Sequence, residues 1–160
     1  MLYLFYRLTF KALPPGRAFP FRGQLNIKKS RDHKHLGHES ELAFLFKASR
    51  HGFDVLKPFT ESTAYDFVVN SKRRFHRVQI KSTHMLQGQS YRIHAVRGRH
   101  RRTRYTSHLV DFLCVYIAPE DVWYIIPIRQ VRRRCLLFKP HAPHKLNLWE
   151  PYREAWNLLN

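Results

Sequence analysis

Acidic residues are scarce in this chain: 11 Asp and Glu stand against 29 Lys and Arg, a formal net charge of +18. So large an imbalance argues against a cationic or neutral partner and for a polyanion, although charge alone does not separate DNA, RNA and anionic lipid. Cysteine is nearly missing too. Cys114 and Cys135 lie in apolar surroundings with no CxxC partner, which reads as reduced core residues of a cytoplasmic protein rather than a disulfide framework. The same lack weakens zinc binding, because no cysteine pair completes a set with His33 and His35 or with His141 and His144. No membrane-length apolar run is present. The opening MLYLFYRLTF is interrupted by Arg7 and falls well short of about 20 residues. It also lacks a signal peptide's order of basic start, apolar centre and small-residue cleavage site. No internal repeat is visible.

With 160 residues, of which 44% are hydrophobic and 14% aromatic, the chain can bury one core, so a single domain is expected. Residues 1–32, punctuated by Pro14, Pro15, Gly16 and Pro20, have no sustained period and read as a basic N-terminal extension, with disorder left open. Residues 33–160 form the expected domain. ELAFLFKA places Leu42, Leu45, Phe46 and Ala48 on one broad helical stripe that Gly52 ends. FDVLKPF at 53–59 suits a short strand near a sheet edge, and YDFVV (65–69) with FHRVQIK (75–81) suits a hairpin closed by NSKRR. A further extended segment is expected at 90–96. LVDFLCVYIA (109–118) and VWYIIPI (122–128) form a second, buried hairpin, and PYREAWNLLN reads as a terminal amphipathic helix with Pro151 in its first turn.

Because carboxylates are few, their positions are informative. Asp66 lies inside an otherwise apolar strand, and on the next strand Gln79 and Lys81 are two apart, so they project from one face. A hairpin can bring the three together. Phosphodiester hydrolysis needs a divalent cation to polarise phosphate and lower the pKa of water, and a cationic group for developing charge. Asp66 suits the first need and Lys81 the second. Mg²⁺ takes hard oxygen ligands, including one or two carboxylates. Gln79 supplies only a neutral oxygen, so Glu41 in the preceding helix, or its neighbour Glu39, is the candidate second anion.

These residues resemble the PD-(D/E)XK nucleases, and within them a QxK subgroup similar to the group I intron homing endonucleases of that fold. The match spans about residues 37–127 and the terminal YREAW: Gly37, Glu41, Gly52, Lys57–Pro58, Tyr65–Asp66, Val78–Lys81, the Asp111 strand and WYIIP. The resemblance implies an α/β (α+β) restriction-endonuclease-like fold, a mixed sheet flanked by helices. It implies a metal-dependent DNA endonuclease in which Glu41, Asp66 and Gln79 bind Mg²⁺ (or Mn²⁺) and Lys81 positions or activates the attacking water. The resemblance also favours Glu41 over Glu39, because the separation of Glu41 from Gly52 is the one similar to the family pattern. A homo-oligomer, dimer or higher, is a further implication. Two rival readings stand beside it: an inactive nucleic-acid-binding protein of the same fold, and a basic RNA- or ribosome-associated protein.

The basic runs fall in expected turns, where they could meet phosphates. The candidates are Arg99, Arg101, Arg102 and Arg104, then Lys72, Arg73 and Arg74, and Arg132, Arg133 and Arg134. Phe75, Tyr91 and Tyr105 lie near these runs and could stack on unpaired bases, with core packing the expected use of Phe75.

Overall fold

A computed structural model describes residues 33–60, 62–71, 74–98, 102–143 and 146–160; the N-terminal extension read from residues 1–32 lies outside the described residues. Helix α1 (His33–Arg50) leads into strands β1 (Asp54–Leu56), β2 (Phe67–Ser71) and β3 (Arg74–Thr83). Then come β4 (Leu86–Gln87), β5 (Ser90–His94), β6 (Val96–Arg97), β7 (Thr103–Arg104), β8 (Phe112–Ile117), β9 (Val122–Pro127) and β10 (Cys135–Phe138).

Helix α1 ends where glycine permits it. Gly52 adopts φ +78°, and the Phe53 N–H donates to Ala48 O at 3.1 Å while the Gly52 N–H donates to Ser49 O at 3.0 Å. That pairing satisfies two of the helix's last carbonyls and turns the chain directly into β1. The buried face differs from the expected stripe. Phe44 and Ala48 are fully buried, whereas Leu42 and Phe46 are 53% and 60% exposed. In ELAFLF apolar residues occupy nearly every position, so periodicity alone does not select a face. The choice falls to Phe44, whose ring fits among Phe67, Trp123 and Trp156 at 5.6–5.7 Å between centroids.

The central sheet has the order β1-β2-β3-β8-β9. Only β3 and β8 run parallel; the other neighbours are antiparallel, so the sheet is mixed as expected. The β2–β3 and β8–β9 hairpins are both present, and β1 sits at the edge. Strands β4, β5 and β10 make a second, three-stranded sheet, and β6 and β7 a two-stranded one.

Two apolar layers result. Phe44 and Ala48 of α1 meet Phe67, Val78, Ile80, Cys114 and Ile125 on one face. On the other face, Leu113, Val115, Tyr124 and Ile126 meet Tyr91, Ile93, Leu136 and Phe138 of the second sheet. Covering both faces explains why β8 and β9 are apolar almost without alternation. Each Å² of apolar surface so removed from water contributes roughly 25 cal/mol.

The terminal helix does not form. Residues 150–160 make two short 3₁₀ turns, Glu150–Tyr152 and Trp156–Leu159, separated by Glu154 at φ +47°. The reason is the Glu154 carboxylate, which accepts from the Trp123 N–H (2.8 Å) and the Trp156 indole N–H (2.8 Å), stitching the chain end to β9. Among the described residues α1 is the only α-helix, and no helix is long and apolar enough to cross a membrane.

Candidate active site

Alternation along β3 sets the site. Val78 and Ile80 point into the helix layer, level with Phe112 and Cys114 across the parallel ladder. Gln79 and Lys81 therefore point to the opposite face, level with Leu113 and Val115. The start of this ladder is fixed by Asp111, whose carboxylate accepts from the Arg77 backbone N–H (2.8 Å), Nε (3.0 Å) and Nη2 (2.9 Å). The Arg77 guanidinium also donates to His108 O and Ser107 O. These bonds hold the β3–β8 register two and four residues before Gln79 and Lys81.

Asp66 enters just ahead of β2. Its N–H donates to Val78 O at 2.9 Å, and its Oδ2 accepts from the Ile80 N–H at 2.7 Å and from the Gln79 amide nitrogen at 2.5 Å. Oδ1 has no hydrogen bond among the described residues. Burial raises the Asp66 pKa above the ordinary value, and the nearby Glu41 charge raises it further; the Ile80 N–H, Lys81 and Gln79 act the other way. A carboxylate held up by burial and by a second carboxylate is one that a cation would stabilise. Lys81 shows the converse: burial lowers its pKa, and Asp66 partly restores it. Its ammonium lies over the Tyr105 ring, 5.7 Å from the centroid.

Glu41 reaches the site from α1, one turn before the Phe44 anchor. Its Oε2 accepts from Lys57 Nζ at 2.9 Å, so the lysine beside Pro58 holds it at the edge of the sheet. Gln79 is 8% exposed, and its amide nitrogen donates to Asp66 and to Ile80 O, the latter at 3.1 Å. As placed, Gln79 orients Asp66 through its nitrogen; the two amide orientations differ by a half-turn that the hydrogen-bond network decides. Of the four residues singled out in the sequence, Gln79 is hydrogen-bonded to Asp66, while Glu41 and Lys81 lie near enough for their charges to act on it. Glu39 instead pairs with His35 on α1. Among the described residues no group of three or more His, Cys, Asp or Glu side chains gathers as a metal site, so a hard divalent cation here would rest on the carboxylates of Glu41 and Asp66 with the Gln79 amide as a neutral addition.

The basic residues are distributed differently. Arg102, Arg104, Arg132, Arg133 and Arg134 lie at the surface, and the Ala95 N–H donates to Arg134 O at 2.8 Å, which brings the Arg132–Arg134 turn beside β5 and β6. Arg74 is exposed at the far end of β3, roughly 23 Å from Lys81 at about 3.3 Å per residue. Lys72, Arg73, Arg99 and Arg101 lie outside the described residues. Phe75 is 66% exposed rather than packed in the core, because it lies on the stretch of β3 before the β8 ladder begins at Val78, where β2 alone flanks it. Tyr91 and Tyr105 are buried. From sequence alone the use of Tyr105 stays open because its neighbours are polar; Thr103 and Arg104 before it are both exposed, so no local alternation marks its burial.

Residues 31–147 match the family described as PD-(D/E)XK endonuclease. No curated protein matches the chain by sequence. Among solved structures, that of a bacterial homing endonuclease is similar, with a TM-score of 0.72 and 23% identity, covering 81% of this chain and 93% of that one. At that identity the likeness speaks for the fold.

Proposed function

Since the chain belongs to the PD-(D/E)XK endonuclease family, we propose that it is a Mg²⁺- or Mn²⁺-dependent endonuclease that hydrolyses DNA phosphodiester bonds at Glu41, Asp66, Gln79 and Lys81. The observation that carries this reading is the half-buried Asp66 carboxylate, held by the Ile80 N–H and the Gln79 amide with the charges of Glu41 and Lys81 nearby. The similar solved structure is of a homing endonuclease, which favours DNA as substrate.

Glu41 and Asp66 would hold the cation through their carboxylate oxygens, with the Gln79 amide oxygen as a neutral third ligand. When bound, the cation polarises the scissile phosphate and lowers the pKa of water. Everything else falls to the chain. The Ile80 N–H fixes the Asp66 carboxylate, and Lys57 restrains Glu41. The Lys81 ammonium orients the attacking water and meets charge developing on the phosphate. Arg102, Arg104 and the Arg132–Arg134 turn, with Arg74, Lys72, Arg73, Arg99 and Arg101, contact phosphates and supply affinity without reading sequence. A homo-oligomer, dimer or higher, would present paired sites to the two strands. Two free cysteines suit a reducing compartment such as the cytoplasm.

Supercoiled, branched and single-stranded DNA incubated with wild type, Asp66→Ala and Lys81→Ala test this, each with Mg²⁺, Mn²⁺ or chelator. Wild type should cut only with metal, and both variants should bind but not cut. Tight binding with no cleavage by wild type would favour an inactive binding protein of the same fold.

A further inference from the structure

Lys81 carries its charge in an unusual setting. Among the described residues its ammonium makes no hydrogen bond and no ion pair; its direct partner is the face of the Tyr105 ring, 5.7 Å from the centroid. Tyr105 is 8% exposed and belongs to the apolar layer formed with Val110, Val115 and Tyr91. It is also the first residue after β7, so the hairpin that displays Arg97, Arg102 and Arg104 leads straight into it. Its phenol is pushed up to about 12, by burial first and by Asp66 second, with Arg97 opposing, which places the ring among the charges of the site.

We propose that Tyr105 is the positioning residue for Lys81, its ring holding the ammonium while all three N–H donors stay free, and that it ties the lysine to the basic β6–β7 hairpin. A flexible four-carbon stem ending in a half-buried charge needs some favourable contact to fix it. A hydrogen-bonding partner would consume donors that the reaction needs, whereas an aromatic face attracts the cation without accepting a proton. The contact itself is independent of any activity; its consequence for rate rests on the nuclease reading above.

Two substitutions separate the ring from the hydroxyl: Tyr105→Phe keeps the aromatic face, and Tyr105→Leu keeps apolar bulk without it. In NMR spectra of the full chain with labelled lysine, the Lys81 ε-methylene protons should be shifted upfield by the ring in wild type and Tyr105→Phe. They should return to ordinary lysine positions in Tyr105→Leu, with the amide spectrum showing that each variant is folded. In single-turnover cleavage at saturating protein, Tyr105→Leu should be at least tenfold slow with its DNA dissociation constant within twofold of wild type, and Tyr105→Phe within threefold in rate. Lys81 resonances alike in all three proteins, or Tyr105→Phe as slow as Tyr105→Leu, would overturn the proposal. If the upfield shift is present in wild type and absent in Tyr105→Leu but no protein cuts DNA, the positioning contact stands and the nuclease reading falls. If wild type and Tyr105→Leu cut equally, the nuclease reading stands and the positioning role falls.

Discussion

Replacing Phe44 with alanine should remove the main anchor that seats α1, and with it Glu41, on the central sheet. The ring is fully buried and packs on Phe67 in a stacked arrangement and on Trp123 and Trp156 at larger tilts. Truncating a buried Phe costs about 3–5 kcal/mol, and each aromatic pair it removes contributes about 0.5–1.5 kcal/mol beyond area, so Phe44→Ala belongs in the upper part of that range, about 4 kcal/mol. In a domain of this size about 1 kcal/mol moves Tm by roughly 3 °C, which gives a fall of about 12 °C. Since total stability is roughly 5–15 kcal/mol, Phe44→Leu, expected to cost about 2 kcal/mol, is the safer companion. Urea unfolding followed by circular dichroism and by fluorescence of the three tryptophans measures both. Leu42→Ala and Phe46→Ala, on the exposed face of the same helix, should stay within about 0.5 kcal/mol of wild type. A loss below about 1 kcal/mol for Phe44→Ala, or a larger loss for Phe46→Ala, would refute the helix orientation and the route by which Glu41 reaches the site.

Asp66 has a raised carboxyl pKa, chiefly through burial, so its protonated form is favoured in the folded protein. That contribution to stability is complete below the unfolded value of about 3.9 and is lost as pH rises through the higher folded value. At pH 7, in chelator, Asp66→Asn should therefore melt at or above the wild-type temperature, and with Mg²⁺ it should cut nothing; a lower Tm would contradict a carboxylate destabilised by burial. Asp111 behaves oppositely. Burial pushes its carboxyl up, but the Arg77 bonds outweigh this and hold it low, so its contribution is present above about 3.9 and fades as pH falls through the lower folded value. With both side chains about a third exposed, Asp111→Ala should cost about 2 kcal/mol in urea unfolding at pH 7, and an unchanged midpoint would count against the ladder clamp. Substituting Arg102 and Arg104 with alanine should weaken DNA binding at every sequence. It should reduce the slope of log K against log salt by about 0.9 for each phosphate no longer neutralised, and a slope equal to wild type would remove the hairpin from the interface.

Much of this arrangement is legible in the sequence, for reasons that differ by element. The β2–β3 hairpin is written in β-branched and aromatic residues at period 2, and that same period places Gln79 and Lys81 on one face before any packing is known. The turn at Gly52 is equally local. What escapes a reading of the sequence is decided by residues distant along the chain. ELAFLF offers several apolar faces, and Trp123 and Trp156 select the one bearing Phe44. The terminal PYREAWNLLN carries an acceptable helical pattern, yet Glu154 does more by bridging the Trp123 N–H and the Trp156 indole than by continuing a helix. Tyr105 is obscured by polar neighbours, and its burial depends on a second sheet built from β4, β5 and β10. At the site, Asp66, Gln79 and Lys81 follow from the hairpin, whereas the approach of Glu41 depends on the α1 orientation and on Lys57.

Glu41 and Asp66 are proposed to share one divalent cation beside Lys81. Titration of Mn²⁺ into the full chain, read by electron paramagnetic resonance, tests it without reference to any substrate. Wild type should bind Mn²⁺ at one site that Mg²⁺ displaces, Glu41→Ala and Asp66→Ala should each weaken binding at least tenfold, and Glu39→Ala should leave it unchanged. Equal Mn²⁺ affinity in wild type, Glu41→Ala and Asp66→Ala would contradict it.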